Sequence, residues 1–148
     1  MLNREWIAAH IPHQGGMCLL DAVTEWSTER IRCTAASHRQ KDNPLRDPEH
    51  DGRLGAACGI EYAAQAMAVH GALIAGDDAE PRQGFLASVR GVEFNVDRLD
   101  GIAGELDVEA ERLSGDDNNI LYRFAMRGDG RLLLAGRATV ILNAEARK

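Results

Sequence analysis

Residues 54–75, LGAACGIEYAAQAMAVHGALIA, limit what this chain can fold into more than any other stretch. The segment has no proline, is long enough for a helix, and carries few polar side chains apart from Tyr62: Glu61, Gln65 and His70. A helix that is apolar on every side must be buried on every side. A carboxylate in the first turns of such a helix is costly unless it is partnered or put to use. Leu54–Gly76 is also long enough to span a bilayer. However, a central acidic residue costs about 2.5 kcal/mol or more on insertion, the segment is dominated by Ala and Gly, and half a chain of amphipathic strands follows it. These features place the helix inside a protein core.

The rest of the chain supplies the cover. NREWIAAH reads as a short helix, followed by a loop, IPHQGGM, punctuated by Pro12 and the Gly15–Gly16 pair. LLDAVTEWS and RIRCTAAS read as two strands joined around Thr28–Glu29, and a long polar loop, HRQKDNPLRDPEHDGRL, leads to the central helix. Beyond the helix the period changes to two. GFLASVRGVEFNV sets Val92, Phe94 and Val96 on one face, with Gly91 as a candidate bulge. GELDVEAERL, NILYRFAMR and RLLLAGRATVIL follow, separated by the turn sequences SGDDNN and RGDGR, and this pattern predicts an antiparallel meander. One long helix among five to six strands predicts an α+β chain, a curved antiparallel sheet wrapped around a central helix, which is the hotdog architecture. No repeat or linker divides residues 1–148, so a single domain is expected.

Lys and Arg total 17 against 23 Asp and Glu, a net charge of −6 without a basic run, which gives no footing for nucleic acid. Cys18, Cys33 and Cys58 show no CxxC or CxxH spacing; the pattern argues against a disulfide scaffold and a structural zinc site and fits a reducing compartment. The first ten residues carry Arg4 and Glu5 and lack an apolar signal-peptide core, so cytoplasm is the expected location, with no membrane partner.

Helical geometry puts Gln65 one turn beyond Glu61 on the same face, where its amide can hold the carboxylate, while His70 points to nearly the opposite side as a core or interface histidine. Before Glu61, DGRLGAACG opens the helix with small residues, among them Gly55 and Ala56. Small side chains there let a ligand reach backbone N–H groups that favour negative charge, as a thioester carbonyl would supply. Close packing against the sheet requires the same residues, so both readings stand. His13 sits in the IPHQGGM loop and His50 lies 11 residues before Glu61, so both are candidate bases; His10 reads as a helix-end residue.

Two stretches together resemble a known family. IPHQGGMCLLDAV is similar to the PHR-x-P-F-LLVD opening of the bacterial 3-hydroxyacyl-acyl-carrier-protein dehydratases, and GIEYAAQAM to their central-helix EAMAQ, with Glu61 on the catalytic acid and Gln65 on the glutamine. The match resembles most closely the divergent branch associated with aryl-polyene and polyketide-type pigments, and it covers nearly the whole chain. The resemblance implies a hotdog dimer that converts a 3-hydroxyacyl thioester into a trans-2-enoyl thioester, with no metal or other cofactor. It implies a histidine at the C2 proton, Glu61 at the departing hydroxyl, and a helix-start N–H, here at Ala56 where the family has glycine, on the thioester carbonyl. Burial is expected to raise the pKa of Glu61. The family's HFPxxP histidine is absent: Asp47, in NPLRDPEH, stands at its position. His13, or else His50, then takes the base role.

The expected partner is an acyl-carrier protein bearing a 3-hydroxyacyl chain, met by Arg53, Arg82, Arg90 and Arg98, and the expected assembly is a homodimer or a heterodimer with a homologue. A hotdog thioesterase, in which Glu61 activates water, and a non-catalytic acyl-binding subunit paired with an active homologue are the alternatives.

Overall fold

The structure, a computed structural model, describes residues 2–11, 17–76, 84–116 and 118–142. Strand β1 (Leu2–Asn3) runs into α1 (Arg4–His10), which Asn3 caps by accepting a hydrogen bond from the Trp6 N–H at 3.0 Å. The hairpin of β2 (Ala22–Trp26) and β3 (Arg30–Ala35) follows, then the polar loop, and α2 (Gly59–Ala75) entered through a 3-10 turn at Ala56–Cys58. After it come β4 (Gly84–Phe94), β5 (Leu106–Gly115), β6 (Asn119–Gly128) and β7 (Arg131–Leu142).

All seven strands form one antiparallel sheet in the order β1-β2-β3-β5-β6-β7-β4. The hotdog architecture is therefore present, with six long strands and a two-residue β1 that the sequence pattern does not predict. The meander β5-β6-β7 matches its period-two alternation: Ile120, Tyr122, Phe124 and Met126 point inward and are buried, while Arg123 and Arg127 point out. Asp129 and Gly130, with φ of 52° and 76°, make the β6–β7 turn, the two positive values that a type I′ hairpin requires. The bulge expected at Gly91 is also present: its φ is 59°, and the β4 register slips between Arg90 and Glu93.

The inner face of the sheet meets α2 through Tyr62, Ala63, Ala66, Met67, Val69 and His70, all buried. The expectation of burial all round is corrected, because the sheet covers one side of the helix only. Glu61, Ile74 and Ala75 are exposed, and Ala64 and Ala68 are half-buried. His70 is the satisfied core histidine expected. Its Nε2–H donates to the Ser27 carbonyl at 2.7 Å, which leaves Nδ1 to accept from the Tyr122 hydroxyl at 2.7 Å. Burial lowers the pKa of His70 and pushes that of Tyr122 up to about 12, so both stay neutral and tie the β2–β3 turn to the helix.

The long polar loop is held from within. Arg46 donates to the carbonyls of Gln40, His38 and Gly52 at 2.8–2.9 Å. Its far end is fixed by Asp100, whose Oδ1 accepts from the Leu54 N–H at 3.1 Å and from Arg98 Nε at 2.9 Å. The Arg98 guanidinium, with help from the Leu54 N–H, holds the Asp100 carboxyl well below the usual carboxylate range. A carboxylate with a depressed folded pKa stabilises the fold above its unfolded value of about 3.9, and that contribution fades as pH falls through the folded value. Asp100→Asn is expected to cost about 1–2 kcal/mol at neutral pH. Thermal melts of the two proteins should differ at pH 7 and draw together below about pH 4.

Candidate active site

Glu61 lies in the first turn of α2 and is exposed. The expectation that Glu61 is buried is corrected for this chain, because no strand or loop among the described residues covers that face. The carboxylate sits on a stripe with Ala57 in the preceding 3-10 turn and Ala64, Ala68 and Ala75 along the helix, spaced by three, four or seven residues and each exposed or half-buried.

Gln65 is fully buried on the neighbouring face, and its amide does not turn to Glu61. Nε2 donates to the Met17 carbonyl at 2.6 Å and Oε1 accepts from the Leu19 N–H at 2.9 Å. The anticipated role of orienting the acid is corrected accordingly: Gln65 fixes the backbone of Met17 and Leu19. A second buried chain reinforces it. Ser37 Oγ donates to the Leu19 carbonyl at 2.7 Å, the Tyr62 hydroxyl donates to Ser37 Oγ at 2.8 Å, and Asn43 Nδ2 reaches the Tyr62 oxygen at 3.1 Å. Residues 17–19 are thus bound to the turn of α2 that carries Glu61 by Gln65 and Tyr62, which flank the buried side of that turn. Sequence reasoning missed Ser37, Asn43 and the structural part of Tyr62, since their partners lie in distant segments.

The two readings of the small residues before Glu61 divide between positions. Gly59 is a packing residue: a Cβ there would stand 2.7 Å from Leu134 Cδ2 and 3.3 Å from Met126 Sδ. Gly55 faces open space, with nothing within 4 Å of a Cβ position, and Ala57 is exposed. Ala56 is buried, and its N–H donates to the Asp97 carbonyl at 3.0 Å, so the expectation that this N–H serves a substrate carbonyl is corrected. Neither Gly55 nor Ala57 donates its N–H to a loop, strand or side-chain acceptor among the described residues.

His13 and Arg82 lie outside the described residues. His50 ends a 3-10 turn at Pro48–His50, and its side chain is 71% exposed. His50 Nδ1 is 2.6 Å from Asp47 Oδ2, a contact that holds the Asp47 carboxyl below its ordinary pKa. Arg53 and Arg98 do flank the start of α2. Arg53 donates to the Asp97 carbonyl at 3.1 Å, and Arg98 is paired with Asp100. Arg90 lies elsewhere, on the outer face of the sheet. Cys18, Cys33 and Cys58 are free thiols, and burial pushes Cys33 up to about 12. Among the described residues no cluster of His, Cys, Asp or Glu is placed to hold a metal ion, and no helix is long and apolar enough to cross a membrane.

A sheet folded over one helix, with an acid in the helix's first turn and small residues ahead of it, does not by itself name a reaction. The family model of the ApeP-like proteins, described as ApeP dehydratase, matches residues 6–148. The chain belongs to the ApeP-like dehydratase family. Similar solved structures agree on the fold. The dehydratase heterocomplex ApeI:P from Xenorhabdus doucetiae superposes with a TM-score of 0.79 at 23% identity, covering 95% of this chain and 92% of that one. A mutant of thioesterase PA1618 from Pseudomonas aeruginosa gives a TM-score of 0.65 at 15% identity, with 95% of each chain covered. Thioesterase HI1161 from Haemophilus influenzae gives 0.57 at 13% identity, with 82% and 76% covered. No curated protein shows a significant sequence match. Within the ApeP-like family, the match takes in both stretches on which the sequence resemblance rests, residues 11–23 and 59–67.

Proposed function

We propose that this ApeP-like chain dehydrates a 3-hydroxyacyl thioester, carried on an acyl-carrier protein, to the trans-2-enoyl thioester. Membership of the dehydratase family over residues 6–148 is the observation that carries this reading. A base removes the C2 proton, the C2–C3 double bond forms, and the C3 hydroxyl leaves as water with a proton taken from Glu61. His13 is the proposed base. In support of it, Gln65 and Ser37 clamp Met17–Leu19, four to six residues past His13 in the sequence, to the helix that bears Glu61. His50, tied to Asp47 in an exposed turn, is the second choice. A positioned base contributes on the order of 10²–10⁴ in rate. The N–H groups of Gly55 and Ala57, rather than that of Ala56, are proposed to meet the thioester oxygen as negative charge develops there, at roughly 3 kcal/mol for a well-aimed donor.

The exposed face around Glu61 favours a dimer. A second subunit laid along Ala57, Ala64, Ala68 and Ala75 would shield the acid from water. The likeness to a dehydratase heterocomplex supports a homologue as well as a second copy in that place. It also favours a second reading, in which this chain binds acyl thioester as one half of a pair and the partner turns it over.

The test is mass spectrometry of the purified protein with a 3-hydroxyacyl thioester, beside His13→Ala and His50→Ala. Loss of water from the thioester, with a drop of about 10²-fold or more in one histidine variant, is the expected result and names the base. Free acid as product would make the chain a thioesterase. Bound substrate without turnover would move the chemistry to a partner.

A further inference from the structure

Residues 97–102, between β4 and β5, form a strap that runs antiparallel to residues 54–56, the entry to α2. The Ala56 N–H donates to the Asp97 carbonyl at 3.0 Å, and the Leu99 N–H to the Leu54 carbonyl at 2.8 Å. These two bonds flank Gly55 and Arg98, a facing pair that exchanges no bonds of its own. Gly55 is extended, with φ of −65° and ψ of 153°. Successive N–H groups on an extended chain point to opposite sides, so the strap takes that of Ala56 and turns that of Gly55 away from itself. Asp100 completes the hold by accepting from the Leu54 N–H.

The strap is anchored from below. Leu99 and Ile102 are buried, and the Ile102 carbonyl accepts from Nε2–H of His38 at 2.9 Å. His38 is itself fully buried. Since a carbonyl can only accept, the neutral ring carries its proton on Nε2 and leaves Nδ1 as a bare acceptor. That atom has no partner among the described residues. Burial lowers the pKa of His38, which keeps the ring in this neutral form. A buried acceptor without a donor is costly, and an apolar side chain would avoid the cost. The imidazole is explained by the one bond it makes, to the strap. Ser37, its neighbour in the same 3-10 turn, holds the Leu19 carbonyl, so this turn braces two segments at once.

We propose that His38 is a positioning residue: through Ile102 it fixes the strap of residues 97–102, and the strap aims the Gly55 N–H at the thioester oxygen. The assignment rests on the thioester reading above. His38 touches no substrate and acts only through the backbone it holds.

The carbonyl itself reports the effect, without turnover. Crotonyl-coenzyme A, isotope-labelled at the thioester carbonyl, should show its C=O stretch at lower wavenumber when bound to the unmodified protein than in buffer. His38→Leu should lose most of that shift in infrared difference spectra. His38→Gln, whose amide can still donate to the Ile102 carbonyl, should restore it. Asp100→Ala, which frees the Leu54 N–H, should lose the shift as well. Tyr122→Phe removes the partner of His70, nine residues beyond Glu61 on α2, and should keep it. Thermal melts fix a temperature at which each variant is folded. In turnover, His38→Leu should lower kcat about tenfold with KM within about twofold, because small misplacements of a reacting group can cost on the order of 10² in rate. A shift that survives in His38→Leu, or that His38→Gln fails to restore, overturns the positioning role. If His38→Leu does not fold, survival of the shift in Asp100→Ala overturns it. Equal loss in Tyr122→Phe overturns it too, by making the effect one of general stability. A bound thioester with no shift in the unmodified protein removes the aimed donor and leaves dehydration to the activity assay. A shift that follows the strap variants without any dehydration upholds the positioning role and removes the dehydratase reading.

Discussion

Glu61→Gln will abolish formation of the enoyl thioester, with kcat falling by on the order of 10²–10⁴, while the protein melts within about 0.5 kcal/mol of the unmodified chain. The two halves of that result come from different observations. The side chain lies in the first turn of α2 on an exposed face, so exchanging carboxylate for amide disturbs no packed neighbour. The amide has nearly the same shape but no proton of suitable acidity for a departing hydroxyl. Substrate binding should persist, which a KM near the unmodified value in any residual activity would show. A variant that retains full dehydration would remove Glu61 from the chemistry and leave it as a solvated helix residue. The same substitution separates the readings, since a non-catalytic subunit would make the activity of a mixed complex insensitive to it.

Gln65→Leu is expected to act in the opposite way, through structure first. The leucine leaves the Met17 carbonyl and the buried Leu19 N–H without their partner. Each orphaned group costs about 1–3 kcal/mol, so a loss of about 2–4 kcal/mol in chemical denaturation is anticipated. If the clamp also places the base, kcat should fall more steeply than folded fraction at a temperature where the variant is fully folded. Gln65→Glu keeps an acceptor for Leu19 and loses the donor to Met17, so it should fall between the two. A variant that is destabilised but catalytically unchanged would show that residues 17–19 are held for packing alone.

The central helix and the three-strand meander were legible because each is written in a local code: an uninterrupted apolar run, strict alternation, and Asp129–Gly130 at a turn that needs positive φ. β1 was not, since a two-residue strand has no period and exists only through its pairing with Val23 and Ala22. The one-sided burial of α2 escaped for a different reason. Alanine fits a packed face and an open one equally, so Ala63 and Ala66 inside look the same in sequence as Ala64 and Ala68 on the open stripe. The position of Glu61 in the first turn of α2 follows from the apolar run alone, whereas contacts made to distant segments escaped the sequence. The expected Gln65–Glu61 pair is four residues apart, but the amide binds backbone 46 and 48 residues away. The Ala56 N–H is likewise taken by Asp97, across a bridge between Gly55 and Arg98 that no spacing rule anticipates. Arg90 was read as a candidate docking cation, but that it stands opposite Arg137 became visible only with the register of β4 on β7.

The placement of β4 also has a consequence for how the protein is made. Among the described residues, β3 pairs with β2 and β5, and β4 pairs only with β7, whose partner residues run to Leu142. A ribosome releases β4 before its neighbour, so this strand lacks its folded-state partner while the meander is synthesised. Leu134, against which the start of α2 packs at Gly59, emerges in that same last strand. The helix turn that carries Glu61 and the edge strand are therefore completed together, once β7 has been made, and a nascent chain stopped before β7 lacks the partners of both.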